Sequence, residues 1–203
     1  FCWVNAFTER LRGDVHLVGA SINILPEPAT HTRRFVATYG YSPPFVHVQT
    51  TAYALSAAAV RYLKAIGFYD VESALTKKEV IVRYELRLSQ ELIRHGWNIG
   101  CFLPVYDGLD YRKLSMDYPN FSSRNGDVLF DGSFYGRTLA PTEAMFVKVN
   151  RNMISEVELD SCTFTSLLSR FDQIQGFQPA LALLSDSFDA ISKKKSKFKW
   201  FKR

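Results

Sequence analysis

The sequence predicts a layered α/β domain followed by a helical extension. Hydrophobic residues make up 47% and charged residues 22% of the 203 residues, which is ordinary for a globular protein with one sizeable domain. Short apolar segments rich in β-branched residues alternate along the chain with segments whose apolar positions recur every three or four residues. Strands that alternate with helices in this way are typical of α/β folds.

The N-terminal part of the chain is predicted to contain two helices, two strands and one long loop. Residues 15–24 are apolar and β-branched around Gly19, which predicts a buried strand. Residues 26–44 contain four prolines, which predicts an irregular surface loop of a length that is often functional. The other elements are a helix over residues 3–11, a strand over residues 45–55, and a helix over residues 57–67 with Ser56 as its N-cap.

In the rest of the chain, strands and helices are again predicted to alternate up to residue 150, and only helices are predicted after it. The predicted elements are a lead-in over residues 77–82, a helix that contains Glu85, strands over residues 98–105 and 143–150, and helices over residues 161–171 and 179–191. We therefore divide the chain into an α/β domain at 1–151, a helical extension at 152–191 and a basic, aromatic tail at 192–203.

Glu85 is the strongest candidate for a catalytic residue. It stands at the front of a short amphipathic helix that Gly96 ends, and it shares a helix face with Leu88, Ser89 and Leu92. The acid is therefore expected on the side that packs, at the mouth of a strand–helix–strand unit, where it is a candidate general base. Spacing alone favours a structural interpretation, because the helix dipole stabilises acids in a first turn, although the same dipole would help to keep a base ionised.

Two further polar positions lie within a predicted strand. His47 and Gln49 are two residues apart, so their side chains project to the same face of that strand. The pair could hydrogen-bond an oxygen of a sugar or of a phosphate. Alternatively, it could brace the loop that contains Pro43 and Pro44, and the sequence favours neither interpretation.

Several acids lie close to strand ends, where α/β sheets gather ligands. Asp107 and Asp110 follow the strand predicted over residues 98–105, and with Glu85 they could hold a divalent ion that bridges substrate phosphates. Asp107 precedes a glycine and is better explained by turn chemistry. Glu143 is expected to cap the chain locally or to form a salt bridge.

The net charge of +5 comes from the C-terminal tail. Residues 193–203 hold seven basic side chains, which leaves 18 of the 25 basic residues against 20 acidic residues in the rest of the chain. A near-neutral body argues against nucleic-acid binding by the folded part. The cations and three aromatics of the tail suit an anionic membrane surface. A disordered solubilising tail and a nucleic-acid-binding tail are the alternatives.

Cysteine, histidine and hydropathy patterns narrow the class of protein. The three cysteines and four histidines are scattered and lack the spacing of a disulfide framework or a metal site. No apolar run approaches the roughly 20 residues that span a bilayer, and no signal peptide is visible. We expect a cytoplasmic or peripheral membrane protein whose Phe1 start is processed or truncated.

An ordered set of segments resembles a known enzyme family. The segments are AFTERL at residues 6–11, VHLVGASI at 15–22, HVQT at 47–50, the block from Tyr84-Glu85 through Ser89 to Gly96-Trp97-Asn98-Ile99, YDGLDY at 106–111 and LAPTEAMFVK at 139–148. Together they resemble a GT-A-like glycosyltransferase family related to the rhamnan synthesis protein F group, over residues 3–151. The matching part corresponds to the C-terminal portion of that family's catalytic domain.

This resemblance implies a GT-A-like, partly Rossmann-like mixed sheet flanked by helices. It implies transfer of a sugar from a nucleotide-sugar donor to a glycan hydroxyl, with inversion, in polysaccharide biosynthesis. Glu85 would be the base, and Mn²⁺ or Mg²⁺ would neutralise the departing diphosphate. His47, Gln49, Asp110 and Tyr84 would lie on the substrate side. The family's donor-binding half and a DxD triplet have no counterpart in this sequence.

Two main hypotheses follow from the sequence, beside a third in which the protein binds nucleic acid through residues 193–203. The first is a glycosyltransferase domain that uses a nucleotide-sugar donor and a glycan acceptor, with residues 193–203 at a membrane surface. The second is a non-catalytic glycan- or partner-binding module derived from a truncated glycosyltransferase, which the missing donor half suggests.

Overall fold

The computed structural model describes residues 3–25, 30–71, 74–114, 127–140, 143–146, 148 and 155–171. Within these residues the protein is a mixed α/β structure in which a mixed sheet is flanked by helices. The chain divides into two compact units, Phe1–Ser155 and Glu156–Arg203. The strands of the described part all belong to the first unit.

The strands form two small sheets. They are β1 (Val15–Gly19), β2 (Ile22–Leu25), β3 (Phe45–Val48), β4 (Tyr53–Leu55) and β5 (Asn98–Cys101). In the first sheet, β1 lies between β4, to which it is antiparallel, and β5, to which it is parallel. In the second sheet, β2 and β3 form an antiparallel pair. The prediction of an α/β layered structure is therefore confirmed.

Two predicted strands each fold as two strands that bend at the same place. Two residues separate Gly19 from Ile22, whereas four separate Val48 from Tyr53 on the opposing segment, so the regular pairing is interrupted as in a bulge. Gly19 lies so close to β3 that an added Cβ would be 2.1 Å from Val48 Cγ1. The bend therefore requires glycine, and the predictions of single strands over 15–24 and 45–55 are wrong at this point.

The first helices of the structure are α1 (Trp3–Arg10), α2 (Thr30–Tyr39) and α3 (Ala57–Ala65). The helices predicted over residues 3–11 and 57–67 are confirmed. Ser56 Oγ accepts a hydrogen bond from the backbone N–H of Ala59 and so forms the N-cap of α3. The surface loop predicted over 26–44 is wrong in its centre, where α2 forms and buries Phe35. The prolines flank this helix rather than interrupt it.

The helix that contains Glu85 is longer than predicted. It begins with α4 (Lys77–Val80), at a capping box formed by Thr76 and Glu79. It continues through a π-helical segment (Ile81–Leu86) into α5 (Arg87–Arg94). Glu85 therefore lies in the middle of a continuous helical stretch, and the prediction of a first-turn position is wrong. The free N–H groups that stabilise first-turn acids lie at Lys77 instead.

Helix α5 covers the outer edge of β3. Ser89 Oγ accepts a hydrogen bond from Val48 N at 2.9 Å, and Gln90 Nε2 donates one to Val46 O at 2.6 Å. These side chains satisfy backbone groups that an edge strand would otherwise expose. Leu88 and Leu92 of α5 pack into the main core of the first unit, as the predicted buried face requires.

Two hydrophobic clusters flank the β2–β3 pair. The larger contains apolar residues of β1, β2, β3, β5, α3 and α5. The smaller joins α2, the π-helical segment and the ends of β2 and β3, through Leu25, Phe35, Phe45, Val82 and Leu86. Because residues of both clusters alternate along β3, each face of that strand is covered by a different part of the chain.

The later elements depart from the predictions in length. β5 stops at Cys101, and a 3-10 turn follows at Pro104–Tyr106, before a second at Tyr111–Lys113. The strand predicted over 143–150 is wrong for the residues that are described there, 143–146 and 148, none of which is in a strand. Glu143 instead accepts a hydrogen bond from Ala140 N and pairs with Arg137, which confirms its predicted capping and salt-bridging role.

The second unit contains α6 (Glu156–Phe171). This helix confirms the one predicted over 161–171 and begins earlier, with Glu156 and Glu158 in its first turn. The helix predicted over 179–191 and the tail at 192–203 lie outside the described residues. None of the helices described is both long enough and apolar enough to cross a membrane.

Candidate functional site

A buried polar cluster lies on one face of the β2–β3 pair. Asn23 and His47 are directly opposite each other in the antiparallel register. Ser21 and Gln49 lie just beyond the ends of the two strands, where Gln49 N donates a hydrogen bond to Ser21 O at 3.1 Å. All four side chains are at most 5% exposed. The structure thus brings the predicted residues His47 and Gln49 together and adds two polar neighbours.

Gln49 links this cluster to a distant segment of the chain. Its Nε2 donates hydrogen bonds to Asn23 Oδ1 at 3.0 Å and to Asp127 Oδ1 at 2.5 Å. Asn23 Oδ1 also accepts from Val128 N at 3.4 Å, and Asp127 Oδ1 accepts from Leu129 N at 3.0 Å. The buried carboxylate of Asp127 is therefore held by amide donors, as buried charges require.

Sequence reasoning missed Asn23 and Asp127. A signal for Asn23 exists, because it is a polar residue in the middle of an apolar, β-branched strand. Asp127 follows a loop rich in Gly, Asn and Ser, where acids are common, and its sequence context offers no comparable signal.

Three atoms of the cluster are buried without a hydrogen-bond partner in the described part of the chain. They are Ser21 Oγ, His47 Nδ1 and Gln49 Oε1. Buried polar atoms in folded proteins almost always have a partner, from the protein or from ordered water. The three atoms therefore leave hydrogen-bonding capacity unused in this cluster.

Glu85 approaches the cluster from the π-helical segment, which packs against β3. Burial lowers the pKa of His47, and the negative charge of Glu85 is the largest effect that opposes this. Asp127 acts on His47 in the same direction as Glu85. No hydrogen bond or salt bridge joins the half-buried Glu85 to another described residue. Short π-helical segments are frequent at functional sites.

Tyr84 and Asp110, the other predicted substrate-binding residues, are occupied elsewhere. The ring of Tyr84 packs edge-on against Phe68, with 5.4 Å between ring centroids. Asp110 caps the second 3-10 turn and accepts from Arg112 Nε at 2.7 Å, and this hydrogen bond lowers the pKa of Asp110 to about 2. Within the described residues, none of these contacts joins Tyr84 or Asp110 to Glu85.

The acids considered for a divalent ion do not gather in the structure. Asp107 lies in an exposed turn and pairs with Arg10 at 3.0 Å. Across the described ranges, no three His, Cys, Asp or Glu side chains come together in a way that could hold a metal ion. Within these ranges Glu85, Asp107 and Asp110 do not form the divalent-ion site that the sequence suggested, and the Mn²⁺ or Mg²⁺ that the resemblance implies stays a prediction.

The arrangement as a whole suits proton transfer and hydroxyl binding. The charge of the half-buried Glu85 acts on an imidazole whose burial favours the neutral form, and polar atoms of the same cluster have no described partner. Comparisons with protein-family models, with curated proteins and with solved structures give no match to this chain.

Proposed function

We propose that this chain contains the acceptor side of a GT-A-like glycosyltransferase that moves a sugar from a nucleotide donor to a glycan hydroxyl, with inversion. The observation that carries the proposal is the position of Glu85, in a π-helical segment beside the polar face that bears His47 and Gln49. The ordered segments that resemble the rhamnan synthesis protein F group add support.

The chemistry of the proposal needs one base and several hydrogen-bonding groups. The acceptor hydroxyl gives its proton to the carboxylate of Glu85 while its oxygen bonds to the anomeric carbon, and the bond from that carbon to the diphosphate breaks. His47 Nδ1 and Gln49 Oε1 are the buried atoms available to hold neighbouring sugar hydroxyls. Residues 193–203, outside the described part, would hold the protein at an anionic membrane surface.

A second candidate function is a non-catalytic module that binds a glycan or a protein partner. The observation that favours it is the closure of the polar face, since none of its four side chains is more than 5% exposed. A catalytic site must admit its substrate, whereas a structural cluster can stay closed.

The substitution Glu85→Gln tests the catalytic proposal. We expect transfer by the intact cellular protein to fall by about 10²- to 10⁴-fold, because the amide cannot accept the proton. The measurement is the release of nucleoside diphosphate from a panel of nucleotide sugars, with native glycans as acceptors. The unfolding temperature should hardly change, because no ion pair with a described residue is lost.

Glu91→Gln on the same helix is the matched control. Glu91 pairs with Arg87 at 2.9 Å, so this variant removes a structural carboxylate and should retain transfer. A Glu85→Gln protein that turns over at the wild-type rate would remove Glu85 from the mechanism. Calorimetry with nucleotide sugars and Mn²⁺ separates the two functions, since tight donor binding by these 203 residues contradicts the non-catalytic module.

A further inference from the structure

An open cleft lies between α1 and the end of β5. Its volume is about 750 Å³, within the range of pockets that bind small molecules. Gly100 is one of its lining residues, and the described charged residues that line it are Glu9, Arg10, Arg12 and Asp107. None of these residues belongs to the polar cluster on β2–β3.

The cleft and the Glu85 helix lie on opposite faces of the β4–β1–β5 sheet. Val18 and Gly100 are register partners that line the cleft. Leu17 and Ile99 are also partners, and their side chains point to the other face, into the core that contains Leu88 of α5. The cleft is therefore a separate site.

Among the described residues that line the cleft, the charges balance. The two arginines, Arg10 and Arg12, are matched in number by Glu9 and Asp107, and Arg10 Nη1 already donates a hydrogen bond to Asp107 Oδ1 at 3.0 Å. A phosphate or a nucleoside diphosphate needs an excess of positive charge, which this lining does not supply. The balance favours a neutral ligand.

The lining contains polar groups that can bind the hydroxyls of a sugar and apolar groups that can pack on its C–H groups. Guanidinium and carboxylate groups are planar donors and acceptors suited to hydroxyls. The guanidinium of Arg10 lies 4.7 Å from the centroid of the Phe102 ring, which itself packs on Phe7, so both groups are held before a ligand arrives. Phe102 and Met145 supply apolar surface for the C–H groups of a sugar ring.

We propose that this cleft binds a neutral saccharide, at a site distinct from the Glu85 cluster. The choice of saccharide rests on the proposed function, because transfer to a glycan hydroxyl requires glycan recognition. A second saccharide site would hold a remote part of a glycan chain while another part reaches the strands β2 and β3.

The test is titration of the full chain with neutral disaccharides to tetrasaccharides of hexoses and 6-deoxyhexoses, followed by calorimetry and NMR. Uridine diphosphate is the anionic probe. We expect a neutral saccharide to bind and uridine diphosphate to leave the cleft residues unperturbed. No saccharide binding at concentrations up to about 10 mM, or displacement of a saccharide from the cleft by uridine diphosphate, would overturn the proposal.

Gly100→Leu adds a large side chain to the lining of the cleft. A Cβ at Gly100 would meet Val15 Cγ1 at 3.5 Å, which is ordinary contact, so Gly100→Ala should fold normally and Gly100→Leu should project into the cleft. We expect Gly100→Leu to weaken saccharide binding at least about tenfold, and Arg12→Ala about tenfold through lost charged hydrogen bonds. Arg61→Ala, an exposed arginine of α3 outside the cleft, should change nothing.

Glu85→Gln separates this proposal from the proposed function. It should leave saccharide binding in the cleft intact while transfer is lost. Saccharide binding by a wild-type protein that shows no transfer, or by a Glu85→Gln protein that transfers at the wild-type rate, supports the cleft and contradicts only the catalytic proposal. Binding that Gly100→Leu and Arg12→Ala both leave unchanged places the saccharide elsewhere and rejects the cleft.

Discussion

The buried cluster on β2–β3 and the acid–arginine pairs at the surface use the same chemical groups in opposite ways. Asp110 pairs with Arg112, and Glu143 pairs with Arg137 at 2.6 Å. Hydrogen bonds from these arginines lower the pKa values of both acids to about 2. Acids held in this way remain charged at neutral pH and are poor proton acceptors.

The buried cluster shows the contrary pattern. Asp127 is held by amide donors, His47 Nδ1 lacks a partner among the described residues, and Glu85 stands beside His47 outside any described ion pair. In this protein, pairing with arginine therefore indicates that an acid has a structural role. Unsatisfied polar atoms beside an unpaired acid identify the place where chemistry is to be sought.

The largest expected effect is the loss of transfer in Glu85→Gln. The largest expected loss of stability comes from substitution of Asp127. Asp127→Ala removes the acceptor of Leu129 N and one of the two described acceptors of Gln49 Nε2, which keeps its bond to Asn23 Oδ1. We expect the free energy of unfolding to fall by about 2–3 kcal/mol. Urea unfolding measures this loss.

Asp131→Ala is the matched control for Asp127→Ala. Asp131 is an exposed acid of the same segment that accepts from Thr138, so its loss should cost roughly 0.5 kcal/mol or less. Asp127→Asn retains an acceptor oxygen, so its loss in the free energy of unfolding should lie between those of Asp127→Ala and Asp131→Ala. Equal losses for Asp127→Ala and Asp131→Ala would show that the buried cluster does not act as a connected network.

The next effect is a pH dependence that comes from His47. Burial lowers its pKa below the ordinary 6.5, so the unfolded chain binds a proton more readily than the folded protein does. The contribution to stability is therefore complete above pH 6.5 and is lost as the pH falls below it. The slope approaches about 1.4 kcal/mol per pH unit at its steepest.

His47→Asn should reduce this slope, as measured by urea unfolding between pH 7.5 and pH 5. Because slopes are compared, a general loss of stability in the variant does not disturb the result. The pKa of His16 is also lowered, chiefly by burial, and its contribution to the slope is present in both proteins. Identical slopes in wild type and His47→Asn would mean that His47 titrates normally and is not part of a closed cluster.

The sequence predicted elements whose signals are local. Ser56 begins α3 through a hydrogen bond to a residue three positions away, and Gly67 follows its end with φ of 66°. The predicted polar pair of His47 and Gln49 was also local, since alternation along a strand places both on one face. Such patterns need no knowledge of the rest of the chain.

The features that the sequence could not predict depend on distant partners. The bend at Gly19 arises because the opposing segment has two more residues than its partner. The bond from Gln49 to Asp127 joins residues 78 positions apart. The π-helical position of Glu85 depends on a helix that begins at Lys77, so the acid kept its predicted packing side but lost its predicted first turn.

The smallest expected change in stability comes from the exposed pair of Glu143 and Arg137. This pair tests whether surface ion pairs stabilise the protein less than the buried cluster does. The hydrogen bond from Arg137, and next that from Ala140 N, lower the pKa of Glu143 from 4.5 to about 2. The stabilisation is therefore present above pH 4.5 and is lost as the pH falls towards 2. Glu143→Gln should lower the unfolding temperature slightly at pH 7 and not at pH 2.

Salt distinguishes the two regions. About 1 M sodium chloride shortens the Debye length to about 3 Å, so it should remove most of the difference between wild type and Glu143→Gln. The loss in Asp127→Ala should persist, because the groups around Asp127 are buried and screened much less. If Glu143→Gln instead matched Asp127→Ala in size and in resistance to salt, the surface pair would stabilise as a buried network does. The β2–β3 cluster would then not differ from the surface pairs in the way that it stabilises the protein.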